Sequence, residues 1–228
     1  MSAAKSDSAA VISRRARRLQ DGPGARGDDR EARLLEVGER LLTEGTFNET
    51  SISTIAGEAG LSRPGFYFYF ASKDELLAAL VQHVLAEALA SWSVMLEEPA
   101  ESPDQLADLV RCLVRDSAKL LWQEHQQMMC AVVELVPRVP LIREQWRRGV
   151  TNSGETLAKL MISQTQVPEL RDPRRALVTS ESLVWMFERS FYFLTVDGCH
   201  ADDVDELAAT IAEAWIGAMG LLPGIHSR

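Results

Sequence analysis

The sequence has few or none of the features that define several protein classes. It contains only three cysteines, Cys112, Cys130 and Cys199, and no Cys-x-x-Cys pair. Scattered thiols of this kind are typical of reduced, buried cysteines in an intracellular protein. The chain has no uninterrupted run of about 18 apolar residues, so we expect no membrane span. The N-terminus has no apolar stretch ahead of its arginines and does not resemble a secretory signal, so the expected location is cytoplasmic.

Signatures of catalysis and of metal binding are missing as well. There is no His-Glu-x-x-His, Gly-x-Ser-x-Gly or Walker-type loop. Gly22, Gly24 and Gly27 match the spacing of a dinucleotide loop, but no strand precedes them, and we interpret them as linker. The acids that follow Cys199 and His200 are better explained as the start of a helix than as metal ligands. We therefore expect no enzymatic activity, no cofactor and no metal.

Charge is distributed unevenly along the chain. The net charge is −9, yet residues 1–30 hold seven Lys/Arg against four Asp, so the remainder carries −12. A basic arm on an acidic body favours a local partner such as nucleic acid or an anionic surface. A solvated, disordered tail explains residues 1–27 equally well.

Beyond residue 27, apolar residues recur with the 3.6-residue period of an α-helix. Asp28, with an acid three positions later, resembles a capping box that opens a first helix, and Gly45 ends that helix. Thr50 or Ser51 begins a second helix, which Gly60 ends. Further amphipathic segments, separated by prolines and glycines, cover residues 72–96, 104–121, 124–136, 140–163, 173–196 and 202–220. The sequence therefore predicts an all-α protein of about nine helices, with a small N-terminal unit and a larger C-terminal bundle.

Five consecutive aromatic residues, FYFYF at 66–70, have two interpretations. Their alternation fits a strand, but the chain offers almost no other period-2 runs for it to pair with. The alternative is a short third helix, capped by Ser62 and with Pro64 in its first turn. The three phenylalanines are then expected in the core and the two tyrosines outside. Two helices joined by a tight turn form a helix-turn-helix.

These residues in combination resemble the DNA-binding domain of TetR/AcrR-type transcriptional regulators. The resemblance covers about fifty residues without a gap and is carried by Ile55-Ala56, Ala59-Gly60-Leu61-Ser62, the run Phe66-Tyr67-Phe68-Tyr69-Phe70, and Ser72-Lys73-Asp74-Glu75-Leu76. Ser62-Arg63-Pro64 ahead of the aromatic run is similar to the ethionamide-resistance repressor subgroup. One departure is Gly65, which stands where many relatives carry Thr or another polar side chain, and this removes one possible DNA contact.

The resemblance implies three parts: a disordered basic arm at 1–27, a helix-turn-helix domain at 28–75, and a ligand-binding and dimerisation domain at 76–228. It also implies a homodimeric repressor that binds a palindromic double-stranded DNA operator and is released by a small apolar ligand. Two alternatives stay open. One is a helical carrier or sensor of apolar molecules without operator binding, which would suit the four Lys/Arg against eight Asp/Glu in residues 31–80. The other is an enzyme built on an α-bundle.

The predicted DNA contacts lie on the second and third helices and at the start of the fourth. Arg63 is the candidate for base reading, because its guanidinium can pair with guanine O6 and N7. The family pattern places Tyr67 and Tyr69 at phosphates, and Lys73 with the N–H groups of the following helix would form a phosphate seat. Ser62 would cap its helix whether or not DNA binds. The full predicted set is Thr50, Ser51, Ser53, Ser62, Arg63, Pro64, Gly65, Tyr67, Tyr69 and Lys73.

The last two helices are unusually apolar, which predicts a second buried face. The resemblance implies a dimer interface there, and the candidates are Phe191, Ile211, Trp215 and Met219. An apolar ligand pocket is expected among Leu113, Trp122, Met129, Trp146, Val150, Trp185 and Phe187, although core packing explains any single one of them more simply. Gly149 and Gly154 are expected to let the seventh helix bend or pack closely.

Overall fold

The computed structural model describes residues 25–96, 100–198 and 200–221. Within these ranges the chain forms nine α-helices and no β-strand, which confirms the predicted fold class. The helices are α1 (Ala25–Thr43), α2 (Ile52–Glu58), α3 (Arg63–Tyr69), α4 (Lys73–Met95), α5 (Pro103–Lys119), α6 (Gln126–Leu135), α7 (Pro140–Gln164), α8 (Pro173–Val196) and α9 (Ala201–Ala218). A π-helical segment, Leu120–Glu124, follows α5, and a 3₁₀ turn, Pro168–Arg171, precedes α8. The predicted basic arm lies almost entirely outside the described residues.

Side-chain caps start the short helices at the predicted places. Ser51 Oγ accepts the backbone N–H three residues later at 3.1 Å, and Ser62 Oγ does the same at 3.2 Å. Gly45 and Gly60 have φ angles of 71° and 70°, the left-handed conformation that glycine adopts without steric cost at a helix end. The expected capping box at Asp28 is wrong, because α1 is already helical at residue 25.

The described residues fall into two compact units. The first contains the residues up to Gln82 together with Leu135–Gln145, and the second contains His83–Glu134 and the residues from Trp146 onward. Apolar side chains of α1 to α4 form the core of the first unit: Leu34, Leu41, Leu42, Phe47, Ile55, Ala56, Phe66, Phe70, Leu76, Leu77 and Leu80. A Cβ on Gly38 would lie 3.0 Å from Leu80 Cδ1, so α1 and α4 approach closely.

The core of the second unit is built from large aromatic and aliphatic side chains, including Trp92, Val110, Leu113, Trp122, Met161, Phe187, Phe191 and Trp215. Two glycines allow α7 to pack closely, as predicted. A Cβ on Gly149 would lie 2.5 Å from Leu85 Cδ1, and one on Gly154 would lie 2.7 Å from Glu181 Cγ. Because real side chains do not approach so closely, a larger residue would force a shift of the Leu85 side chain at Gly149, and of Glu181, whose backbone also lies close, at Gly154.

The helix α4 is also long and apolar enough to cross a membrane by length and composition, since its Lys73–Ser93 portion has a mean hydropathy of 1.3. The expectation of no membrane span considered only uninterrupted apolar runs and did not register this segment. Half of the segment is buried inside the protein, which is the usual position of a core helix.

Lys73 connects the start of α4 to the loop that leads into α2. Its Nζ donates hydrogen bonds to the carbonyl oxygens of Phe47 at 2.5 Å, Asn48 at 3.0 Å and Thr50 at 2.9 Å. Burial lowers the pKa of Lys73, and the charge of Asp74 opposes that shift. A cation at a helix N-terminus is unfavourable. The three carbonyl dipoles offset this cost and the cost of burying the ammonium group.

We expect the Lys73→Ala substitution to lower the free energy of unfolding by about 1–2 kcal/mol, because three carbonyls lose their donor in a partly buried loop. Urea denaturation followed by circular dichroism measures the change. The matched control is Lys159→Ala, which removes an exposed lysine from α7. Equal stability of the two variants would show that the carbonyl contacts contribute nothing.

Candidate functional site

The helix α3 presents one buried face and one exposed face. Phe66 and Phe70 are fully buried, and their ring centres lie 6.0 Å apart. Arg63 and Tyr67, four residues apart, lie on the exposed face. The expectation that Phe68 is a core residue is wrong, because 58% of its surface is exposed. Residues two apart on a helix differ by about 200° in direction, so Phe68 cannot share a face with its neighbours of the same type.

Arg63 is available on this exposed face. Its Nη2 lies 3.5 Å from the Tyr67 hydroxyl, and its guanidinium carbon lies 5.7 Å from the centre of the Tyr67 ring. Within the described residues no carboxylate pairs with it. Arg40 differs in this respect, because it forms ion pairs with both Glu44 and Glu58. The tyrosine therefore orients the guanidinium, whose other N–H groups remain exposed on this face.

The hydroxyl groups at the start of α2 have mixed roles. Thr50 Oγ1 donates to the Thr46 carbonyl at 2.8 Å, and Ser51 Oγ caps the helix. Ser53 is exposed and lies one turn from these residues. The hydroxyls of Thr50 and Ser51 thus already form hydrogen bonds within the fold. The exposed Ser53 hydroxyl is the one of the three that can most readily donate to a bound molecule.

The geometry alters the expected roles of residues at the end of α3 and the start of α4. Tyr69 is half-buried, and its ring centre lies 5.0 Å from that of Phe68. The phosphate contact expected for the Lys73 side chain does not fit, because three carbonyls accept from an ammonium that has three donors. The pattern of apolar residues does not predict the contact of Lys73 with these carbonyl oxygens. The usable indication is a lysine in the first turn of a helix, where the helix dipole disfavours a positive charge.

Gly65 is not required by the protein around it. Its φ is not positive, and an added Cβ would meet Leu61 Cβ and Ser62 Oγ at 3.4 Å, which is an ordinary contact distance. The position is half-exposed on α3. An alanine there would fit the fold and favour the helix, so the reason for the glycine lies outside the protein core.

A cavity of about 630 Å³, counting the space at its mouth, lies within the second unit. Its walls are mainly apolar side chains of α4, α5, the π-helical segment, α7 and α8, with one residue each from α6 and α9. The lining includes Leu85, Ala88, Leu89, Trp92, Val114, Ser117, Leu121, Trp122, Met129, Trp146, Gly149, Val150, Ser153, Val184, Phe187, Glu188 and Trp215. Concave sites lined mainly by apolar and aromatic side chains with a few polar groups are typical of small-molecule sites.

Five of the seven residues expected to form a pocket line this cavity: Trp122, Met129, Trp146, Val150 and Phe187. Leu113 does not, because it is buried elsewhere in the core, and Trp185 does not, because 38% of its surface is exposed on the outside of α8. Sequence reasoning missed Glu188, which is only 4% exposed. Its spacing from Val184, Phe187 and Phe191 places it on the inner stripe of α8, and that spacing was a usable signal.

The residues expected at a dimer interface require a correction. Phe191, Ile211, Trp215 and Met219 have exposures of only 0–4% within a single chain, so almost no surface is left to bury against a partner. Trp215 lines the cavity instead. The exposed apolar residues of α8 lie on its other face: Val178, Trp185, Phe193 and Val196. Their spacing of seven, eight and three residues forms one stripe along the helix.

The metal alternative finds no support in the described part of the chain, where no three His, Cys, Asp or Glu side chains come together as ligands. Cys199 lies outside the described residues. The His200 backbone N–H donates to Asp203 Oδ2 at 2.7 Å, which confirms that these acids begin a helix.

The two short helices α2 and α3, an exposed arginine on the second of them and a separate helical unit define a helix-turn-helix transcriptional regulator. The model of bacterial regulatory proteins of the tetR family matches residues 34–80. HTH-type transcriptional regulator EthR of Mycolicibacterium smegmatis is 27% identical over 201 residues, which cover 86% of this chain and 89% of the relative. EthR of Mycobacterium tuberculosis is 40% identical over 76 residues, 33% of this chain and 35% of that protein.

The fold of the chain is shared with solved structures. The fatty acid degradation regulator FadR from Bacillus halodurans matches with a TM-score of 0.64 at 16% identity, over 91% of this chain and 100% of that one. At this identity the likeness concerns the fold alone. The family match over residues 34–80 and the likeness to EthR along most of the chain support a TetR-family transcriptional regulator that is similar to EthR.

We expect Gly65→Ala to raise the free energy of unfolding by about 0.5–1 kcal/mol, because alanine favours the helix and its methyl group makes only ordinary contacts. Thermal melts followed by circular dichroism measure the change. Gly60→Ala is the matched control, and it should destabilise the protein because Gly60 has a φ of 70°. A loss of stability for Gly65→Ala would mean that the fold itself requires this glycine.

Proposed function

We propose that the chain is a homodimeric repressor that binds a palindromic operator and releases it when a small apolar molecule occupies the cavity. In this proposal residues 28–75 bind DNA, residues 76–228 bind the ligand and form the dimer, and the basic arm adds attraction for the phosphate backbone. Such a protein would act in the cytoplasm, without a membrane partner or an enzymatic role.

The observation that carries this proposal is the double use of α4. Its N-terminal part places Leu76 and Leu80 in the core of the helix-turn-helix unit. Its C-terminal part lines the cavity with Leu85, Leu89 and Trp92. One continuous helix therefore contributes to the DNA-binding unit and to the ligand cavity.

For DNA recognition we propose that α3 enters the major groove. Arg63 would form hydrogen bonds with a guanine, and Tyr67 would donate a hydrogen bond to a phosphate. Ser53 would donate a hydrogen bond to a phosphate of the opposite DNA strand. Gly65 would let the sugar-phosphate backbone approach α3 closely, which explains a glycine that the protein fold does not need. The same Gly65→Ala variant should then be more stable and yet bind the operator more weakly.

For the dimer we propose the exposed stripe of α8 as its centre, in place of the buried residues expected from the sequence. Val178, Trp185, Phe193 and Val196 present large apolar side chains to solvent in a single chain, and such stripes commonly mark a protein interface. A two-fold dimer would hold two α3 helices about 34 Å apart, one turn of DNA.

Release would follow from a shift between two conformations of the dimer. A ligand changes that equilibrium only through its different affinity for the two states. Leu85 packs directly against Gly149, and we propose that a molecule that enters the cavity displaces α4 relative to α7 within the second unit. We propose that this displacement moves the recognition helices out of register with the DNA.

A helical carrier or sensor that no longer binds DNA is the second candidate. It is favoured by the charge of residues 31–80, where four Lys/Arg stand against eight Asp/Glu, and by the engagement of Lys73 with carbonyl oxygens. A gel shift with the promoter region of its own gene, repeated at several salt concentrations, separates the two. Salt-dependent, sequence-specific binding supports the repressor, and its absence supports the carrier.

We expect Arg63→Ala to weaken operator binding by about 1–3 kcal/mol and to relax specificity at one base pair, because a bidentate contact to guanine is lost. Gel shifts with the operator and with single-base variants measure both effects. Arg147→Ala is the matched control, since it removes an exposed arginine from α7 in the second unit. Unchanged affinity and specificity for Arg63→Ala would rule out this role.

We expect the double substitution Trp185→Glu and Phe193→Glu to convert the dimer to a monomer at micromolar concentration, because four like charges would face each other across the two-fold axis. Size-exclusion chromatography with light scattering measures the mass. Gln127→Glu, at an exposed position of α6, is the control. A wild-type monomer, or a dimer that survives the double substitution, would contradict the proposed interface.

A further inference from the structure

The apolar cavity of the second unit contains polar atoms that the fold leaves without partners. Among the described residues, the buried side-chain atoms that lack a hydrogen bond include Nε1 of Trp122, Nε1 of Trp215 and both Oε atoms of Glu188. All three residues line the cavity. Trp92, another indole in the lining, differs because its Nε1 donates to Ser117 Oγ at 2.8 Å. The lining therefore contains both a satisfied indole and polar atoms that lack a hydrogen bond.

Glu188 is the most costly of these groups. It is 4% exposed, and the nearest charge is the neighbouring Arg189, whose Nε lies 3.5 Å from Oε2 without a hydrogen bond. Arg189 is itself half-exposed and packs against the rings of Tyr192 and Phe193, at 5.3 Å and 5.9 Å from their centres. Burial raises the pKa of Glu188, and the charge of Arg189 opposes the shift only in part.

A buried carboxyl group that accepts no hydrogen bond destabilises the folded protein. Its presence therefore suggests a functional role. A leucine or methionine at position 188 would complete the apolar stripe of α8 at no such cost. Glu188 belongs to the lining of a cavity that is otherwise suited to an alkyl or aryl body, so a group on the ligand can supply the donor that the fold does not.

We propose that the cavity binds a slim apolar molecule that carries a protonated amine, and that the amine N–H groups donate to Glu188. This inference rests on the proposed ligand response of the same cavity and states the chemical class of the ligand. The lining also includes several aromatic residues, whose rings can attract a cation: Trp92, Trp122, Trp146, Phe187 and Trp215. An anionic ligand would meet the carboxylate instead, and a neutral one would forgo the charge-assisted hydrogen bond.

The test compares three ligands with the same ten-carbon chain: decylamine, 1-decanol and decanoate. Binding to the full-length protein is followed by tryptophan fluorescence, since several indoles line the cavity, and by calorimetry. We expect decylamine to bind about tenfold or more tightly than either of the others. Glu188→Gln should remove that preference and leave the affinity for 1-decanol unchanged.

Glu155→Gln is the matched control, because it removes an exposed carboxylate from α7 in the same unit and should leave the preference intact. Circular dichroism melts establish that each variant folds. If Glu188→Gln does not fold, the ranking of the three ligands by the wild-type protein decides the question alone.

Equal or tighter binding of 1-decanol or decanoate by the wild-type protein overturns the inference, and so does a decylamine preference that survives in Glu188→Gln. Either result leaves the proposed ligand-responsive repressor standing. If none of the three ligands binds, the inference also fails. The proposed function is then judged separately, by whether the protein gives a salt-dependent gel shift with its own promoter region.

Discussion

The burial of Phe66 and Phe70 is the interaction on which the DNA-binding surface depends. A helix of seven residues is too short to persist by its own hydrogen bonds, so α3 exists because two rings fix it to the core of its unit. The Ser62 cap sets where the helix starts, and the rings set its rotation. Together they determine that Arg63 and Tyr67 face outward. The contact surface that we propose thus results from aromatic packing on the other side of the same helix.

Each unit contains a portion of α4, and in each unit a glycine of another helix packs closely against that portion. Gly38 brings α1 against Leu80 in the first unit, and Gly149 brings α7 against Leu85 in the second. Glycine at these crossings lets the helices pack closely, and closely packed helices transmit a local change in packing as a movement of the helix. This arrangement suits a protein whose ligand cavity and DNA-binding helices share one structural element, as we propose.

Most of the fold was predictable, because prolines, glycines and serine caps mark the helix ends and the apolar period marks the helices. The errors arose where the type of a residue was used without its angular position. Phe68 is expected in the core because it is a phenylalanine, and Trp215 at a subunit interface because the last two helices are unusually apolar and the resemblance implies a dimer there. Glu188 was missed for the converse reason, since a charged residue on a buried stripe was not weighed by its spacing. The position of Lys73 in the first turn of a helix indicates that it needs acceptors, but the sequence does not identify them, because they are backbone carbonyls about 25 positions away.

The hydrogen bonds of Lys73 also have a mechanical consequence. They tie the first turn of α4 to the segment Phe47–Thr50, which runs directly into the Ser51 cap of α2. The loop cannot swing independently of α4 while those bonds are intact. A tilt of α4 would therefore move the N-terminus of α2 with it. The N-terminal turns of α2 and α4 would then move together as one rigid body.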